Sequence, residues 1–274
     1  MPPASSPSPD RDLVFVGAGN MAAALVRGLL AQGVPPDRIA CLSGSGASAR
    51  ALSEKTGIVA LPADAPGTAP VWVIACKPHQ LGDLNPAVIA ATRDRLVISV
   101  LAGIPLERLR TVFPRAARLV RAMPNTPAAI GKGMTGWAAD QPLEPAQRQA
   151  VDQLMAATGA ALEVDERALD AVTAVSGSGP AYVFEIARVW IEAGVKQGLT
   201  PDQARLLVLK TLEGATALML EDSDPDPGSL RNQVTSKGGT TAPALAAFEA
   251  GNLDSLFEEA LAAAVRRARE IAGN

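Results

Sequence analysis

The chain has 274 residues, 48% hydrophobic, 19% charged and only 3% aromatic, with a formal net charge of −3. That length allows one or two domains, and Ala, Val and Leu must supply the core that aromatics do not. The lack of a basic excess argues against a nucleic-acid partner, and no apolar run is long enough to span a bilayer.

Residues 1–12 are Pro/Ser-rich and lack the basic start and apolar stretch of a secretion signal. They read as a disordered lead-in, and the chain as cytoplasmic. Leu13-Val14-Phe15-Val16 is then a short β-rich run that meets Gly17 and Gly19 at once. Met21 to Leu30 reads as a helix ending near Gly33 and Pro35. Further strand candidates are Ile39–Leu42, Val71–Cys76, Leu96–Val100 and Leu119–Met123. Apolar strands without alternation, separated by helical stretches, are the pattern of a parallel sheet covered on both faces.

The pattern changes after about Val164. Pro180–Gln197, Pro201–Glu221, Thr241–Ala250 and Leu253–Ile271 read as helices, with stops at Gly198 and at the Asp222–Gly228 stretch. The expected division is a dinucleotide-binding Rossmann domain at 13–165 and an all-helical domain at 166–274. Ala-rich helices bury little area each, so the helical part is expected to complete its core against a second copy of the chain.

Gly17-Ala18-Gly19-Asn20-Met21-Ala22 joins the first strand to the first helix. The first Gly suits a tight turn and the second a close approach of backbone to pyrophosphate. Ala22 suits close helix packing, and the helix N-terminus offers free amides. A cofactor there would meet Gly17, Gly19, Asn20 and Met21. The acid that holds a ribose 2′-hydroxyl is missing after the second strand, which runs into Ser43-Gly44-Ser45-Gly46 with Arg50 beyond. This favours NADPH over NADH; Arg50 is either a phosphate contact or a solvated helix residue.

Three other strand ends belong with this site: Ala75-Cys76-Lys77-Pro78, Ser99-Val100-Leu101-Ala102-Gly103 and Met123-Pro124-Asn125-Thr126-Pro127. Ala75, Lys77, Pro78, Ala102 and Asn125 are the cofactor residues expected from them. Lys77 sits either beside phosphate or at the surface. Asn125 either holds the nicotinamide side or caps a turn. Cys41 and Cys76 read as small core thiols, and His79 as a surface or structural residue. With two Cys and one His in the whole chain, neither a disulfide framework nor a metal site is expected.

In the helical half, Ser176-Gly177-Ser178-Gly179-Pro180-Ala181-Tyr182 is either a ligand-facing loop or an ordinary helix entry capped by Ser178. Thr235-Ser236-Lys237-Gly238-Gly239-Thr240-Thr241 reads as an anion nest before a helix, or as a glycine hinge capped by Thr240.

In this order, across Gly17 to about Arg269, these motifs resemble those of pyrroline-5-carboxylate reductases. The resemblance implies reduction of 1-pyrroline-5-carboxylate to L-proline by NAD(P)H, the last step of proline synthesis. It implies a helical dimerisation domain, with dimers often assembled into larger rings. It also implies a carboxylate site at Gly238, Gly239 and Thr240, a hydroxyl at Thr241 beside the substrate ring nitrogen as the catalytic group, and Ser176 lining the same pocket. Many family members carry Pro where this chain has Lys237.

Overall fold

The computed structural model describes residues 11–221 and 226–273. The expected lead-in lies outside them as far as residue 10, and so does part of the helix stop at 222–225. Asp12, the first residue placed beyond Arg11, pairs with Arg38.

The elements in chain order are β1 Leu13–Val16, α1 Asn20–Ala31, β2 Ile39–Leu42, α2 Ala47–Thr56, β3 Val59–Ala60 and β4 Val71–Ile74. Next come α3 Pro86–Ala91, β5 Leu96–Ser99, α4 Leu106–Val112, β6 Arg118–Met123, β7 Gly133–Ala139, α5 Pro145–Ala156, β8 Gly159–Glu163 and α6 Leu169–Val172. A π-helical turn, Thr173–Gly177, leads into α7 Gly179–Lys196, α8 Pro201–Leu220, α9 Pro227–Gln233, α10 Thr241–Ala250 and α11 Leu253–Gly273.

The sheet order is β3-β2-β1-β4-β5-β6-β7-β8. Every pairing is parallel except β6 with β7. The five predicted strands form its centre, and their carboxyl ends share one edge. Prediction missed β3, β7 and β8. The first is two residues long, β7 contains Gly133 and Gly136, and β8 is Ala-rich, so none carries a strong β signal.

The central strands are buried on both faces because they are apolar at every position. One face packs Phe15, Ile39 and Val73 against Leu25 and Leu29 of α1. The other packs Val14, Trp72 and Val97 against Leu109 and Phe113. Trp72 is fully buried, and its indole N–H donates to the Ala69 carbonyl at 3.1 Å. Truncating it to Ala would cost about 3–5 kcal/mol. The one charge buried in this sheet, Arg121 of β6, is paired with Asp170 at 3.3 Å and Glu166 at 3.5 Å.

The described residues divide into two compact units, 11–178 with 264–273, and 179–221 with 226–263. The second unit is helical. In it α7 and α8 form an antiparallel hairpin turned at Gly198, whose φ of +99° suits glycine. Their contact is built from small groups, with Gly194 set against Ala204 and Leu199. Thr200 caps α8 by accepting from the Gln203 N–H. Phe184, Trp190, Leu206 and Leu209 of the same helices are exposed.

Candidate active site

Gly17 shows why the first turn needs glycine. Its φ is +110°, and a Cβ there would stand 2.4 Å from the Ala75 carbonyl oxygen. The turn can therefore wedge between β1 and the end of β4 only without a side chain. Gly19 precedes α1 in extended conformation, with open space where a Cβ would be. No side chain caps α1, and no acid occupies its first turn. Its free amides and positive end thus face outward, available to an anion.

These glycines open onto a cleft of about 800 Å³. It is lined by the predicted residues Gly17, Gly19, Ser43, Ala75 and Lys77, by Ser45 of the hydroxyl-bearing turn, and also by Ser48, Gln80 and Asn85, which sequence reasoning passed over. Those three follow β2 and β4, so the signal for them was the strand ends themselves. Asn20 borders a neighbouring groove of about 610 Å³ between α1 and α2. Met21 packs against the core in the first turn of α1. Pro78 opens a short 3-10 turn, in which the Gln80 carboxamide accepts from the Lys77 N–H at 3.0 Å. A dinucleotide fits these residues: an unencumbered glycine turn, an uncapped helix and a polar cleft beside them.

Arg50 is an exposed residue of α2. Its guanidinium lies over Gly46, 2.8 Å from where a Cβ would be, beside the Ser43–Gly46 turn. Ser43 Oγ accepts from the Ala49 N–H at 3.3 Å, which ties this turn to α2.

Ala102 and Asn125 follow β5 and β6 at the same sheet edge and are not part of the cleft lining. Ala102 is exposed. Next to it, Gly103, with φ +73°, lies under Ile271 of α11. Asn125 is buried and caps no turn with its side chain. Its Oδ1 accepts from the Met134 N–H at 2.9 Å, and its Nδ2 donates to Ser176. Ser176 lies in the π-helical turn, closed by the Ser178 N–H bonded to the Thr173 carbonyl at 2.8 Å. Neither the turn's width nor this contact between distant segments has a sequence signature.

Both thiols are held protonated. Burial pushes Cys41 and Cys76 up to about 11, so neither is a thiolate near neutral pH. Cys41 is core, as expected, whereas Cys76 is half-buried and borders the cleft. His79 is exposed, and no described group of His, Cys, Asp and Glu could hold a metal ion.

In the second unit, Ser236 to Gly239 form a turn closed by the Gly239 N–H on the Ser236 carbonyl at 3.0 Å. Gly238 has φ +76°, a conformation open to glycine. The turn delivers the chain to α10, which starts at Thr241. Thr240 stands at the N-cap position of α10 and makes no side-chain cap bond. The amide of Gly239 is used by the turn. Gly239 instead keeps the loop tight, because a Cβ there would meet Ser236 Oγ at 2.5 Å.

Comparisons with known proteins agree on one family. Residues 166–271 match the model described as pyrroline-5-carboxylate reductase dimerisation, and residues 12–103 match one described as NADP oxidoreductase, coenzyme F420-dependent. A pyrroline-5-carboxylate reductase of Pseudomonas aeruginosa is 41% identical over 265 residues, covering 95% of this chain and 96% of that one. That of Pasteurella multocida is 35% identical, covering 95% and 98%. The solved pyrroline-5-carboxylate reductase of Coxiella burnetii superimposes with a TM-score of 0.88 at 36% identity, over 96% of this chain and 98% of that one. On this ground the chain belongs to the pyrroline-5-carboxylate reductase family.

Proposed function

We propose that the chain reduces 1-pyrroline-5-carboxylate to L-proline with a nicotinamide dinucleotide, the last step of proline biosynthesis. The observation that carries this reading is the Ser236–Gly239 turn before the uncapped start of α10. A generic dinucleotide fold has no need of such a nest, and a substrate carboxylate is its natural occupant.

The reduced nicotinamide, when bound, supplies the hydride. Gly17, Gly19, Asn20 and Met21 hold the pyrophosphate, with Ser43, Ala75, Lys77, Pro78 and Ala102 along the rest of the cofactor. NADPH is preferred to NADH because no acid follows β2 and the Arg50 guanidinium rests on the turn there. The amides of Gly238 and Thr240 hold the substrate carboxylate, with Gly239 shaping the loop, and Ser176 lines the pocket. The Thr241 hydroxyl stands beside the ring nitrogen and holds its proton. The protonated cyclic imine is already a good hydride acceptor, so the protein's task is orientation and charge placement. This accords with two thiols kept protonated and a histidine at the surface.

Residues 13–165 serve the cofactor, and 166–274 serve the substrate and the pairing of subunits. The working form is a homodimer, and dimers assemble further into a ring. No helix of the described residues is long and apolar enough to cross a membrane, and the enzyme works in the cytoplasm. The test is the loss of NADPH absorbance when 1-pyrroline-5-carboxylate is added, with proline identified as product. Saturable oxidation is expected; cofactor binding without oxidation would overturn the substrate.

A further inference from the structure

Asn125 commits its whole amide inside the protein. Its Oδ1 accepts from Met134, and its Nδ2 donates to both the carbonyl and the Oγ of Ser176, each at 3.2 Å. The neighbours fix the amide's orientation. The Met134 N–H requires an acceptor and the Ser176 carbonyl requires a donor, so a flipped amide would lose both bonds. The residue is only 9% exposed. One residue thus ties the end of β6, the start of β7 and the π-helical turn together. Gly177 adds a close approach at the same place, since a Cβ there would stand 2.6 Å from Met123 Cε.

This arrangement dictates how Ser176 can act. A hydroxyl has two lone pairs and one proton. Nδ2 can only donate, so Ser176 Oγ accepts on that side and its proton points elsewhere. No described protein atom receives that proton. The half-buried hydroxyl is therefore an oriented donor, strengthened by the bond it accepts. A protonated ring nitrogen has no lone pair to offer such a donor, whereas a carboxylate has several.

We propose that Asn125 is a positioning residue that holds the Ser176 hydroxyl as a hydrogen-bond donor to the carboxylate of the cyclic imine acid. This rests on the reading that Ser176 lines the substrate pocket. The bond is made to a group that does not change in the reaction, so it acts on substrate binding and leaves turnover nearly unaltered.

The test is a double-mutant cycle of Asn125→Asp and Ser176→Ala, read on the kinetics of 1-pyrroline-5-carboxylate, with NADPH affinity and melting temperature measured for each variant. Asn125→Asp keeps the shape but puts an acceptor where the donor stood. Asn125→Ala runs the same cycle if the aspartate variant does not fold. Each single change is expected to raise the KM for the imine about tenfold with kcat changed less than about threefold, and the double variant to be no worse than either single one. NADPH affinity is expected to stay within about twofold. Multiplying effects, or a loss of NADPH affinity on changing Asn125, would overturn the proposal. A silent Ser176→Ala in an active enzyme would also overturn it and leave the reductase reading standing. Failure of the unaltered chain to reduce the imine would remove the reading beneath it.

Discussion

The two compact units treat their apolar residues in opposite ways. In the first, large side chains such as Phe15, Trp72, Phe113 and Trp137 are buried, and the central strands of the sheet are covered on both faces by the chain itself. In the second, the buried residues are Ala187, Ala204 and Val208, while Phe184 stays 67% exposed and Leu206 62%. The first has finished its core; the second has prepared a surface. Exposed large apolar side chains of this kind are what an interface between subunits buries. This accords with the match of residues 166–271 to a dimerisation model.

The comparison can be broken most directly at the exposed face. Phe184→Glu is expected to weaken subunit association about 100-fold or more, read by sedimentation at several concentrations, while NADPH binding persists. An unchanged assembly would show that the face is not the interface. The converse change lies in the first unit. Gly17→Ala forces a Cβ against the Ala75 carbonyl, and is expected to lower NADPH affinity about 100-fold while subunits stay associated, measured by fluorescence titration. Thr241→Ala sharpens the division of labour: turnover should fall about 10- to 100-fold with NADPH affinity intact. Unchanged turnover would remove Thr241 from the chemistry. Arg50→Ala should cut the preference for NADPH over NADH only several-fold, because an exposed guanidinium is well screened.

The smallest effect concerns pH, and it tests the self-sufficient core of the first unit. Burial raises both thiols from 9.0 to about 11. The unfolded chain therefore releases these protons first as pH rises. Their contribution to stability is complete below pH 9 and is lost between about pH 9 and 11. Denaturant unfolding should be flat up to pH 9 as far as these groups are concerned, and Cys41→Ala should make the fall above it shallower.

Much of the first unit was legible because continuous apolar runs leave few alternatives. Leu13–Val16 and Val71–Ile74 could hardly be anything but central strands. The glycine turn and the other strand ends followed, since a parallel sheet gathers its carboxyl ends on one edge. What escaped depends on contacts distant in sequence. The β7 strand forms because it can pair antiparallel with β6, and Gly136 is there because Val172 lies where a Cβ would be. Arg121 sat unnoticed in an apolar run, because its partners Glu166 and Asp170 come more than forty residues later. Asn125 was found as a site residue for the end of its strand, but not for its bond to Ser176, 51 residues away. In the second unit the long helices were easy to see, since Thr200-Pro201 and Gly198 mark their ends, but α9 was missed because its opening Pro227-Gly228 reads as part of a helix stop. Pairing through this unit was expected from the scarcity of large side chains and from the family resemblance, but neither pointed to particular residues of the exposed face.

The end of the chain returns to the unit where it began. Residues 264–273 belong to the first unit, where Ile271 covers Gly103 and Arg269 reaches Asp170 at 3.7 Å. During synthesis the sheet and its helices emerge first, yet the seam at Gly103 closes only once α11 has left the ribosome. A stalled or clipped product would carry a complete glycine turn and an open seam at Gly103.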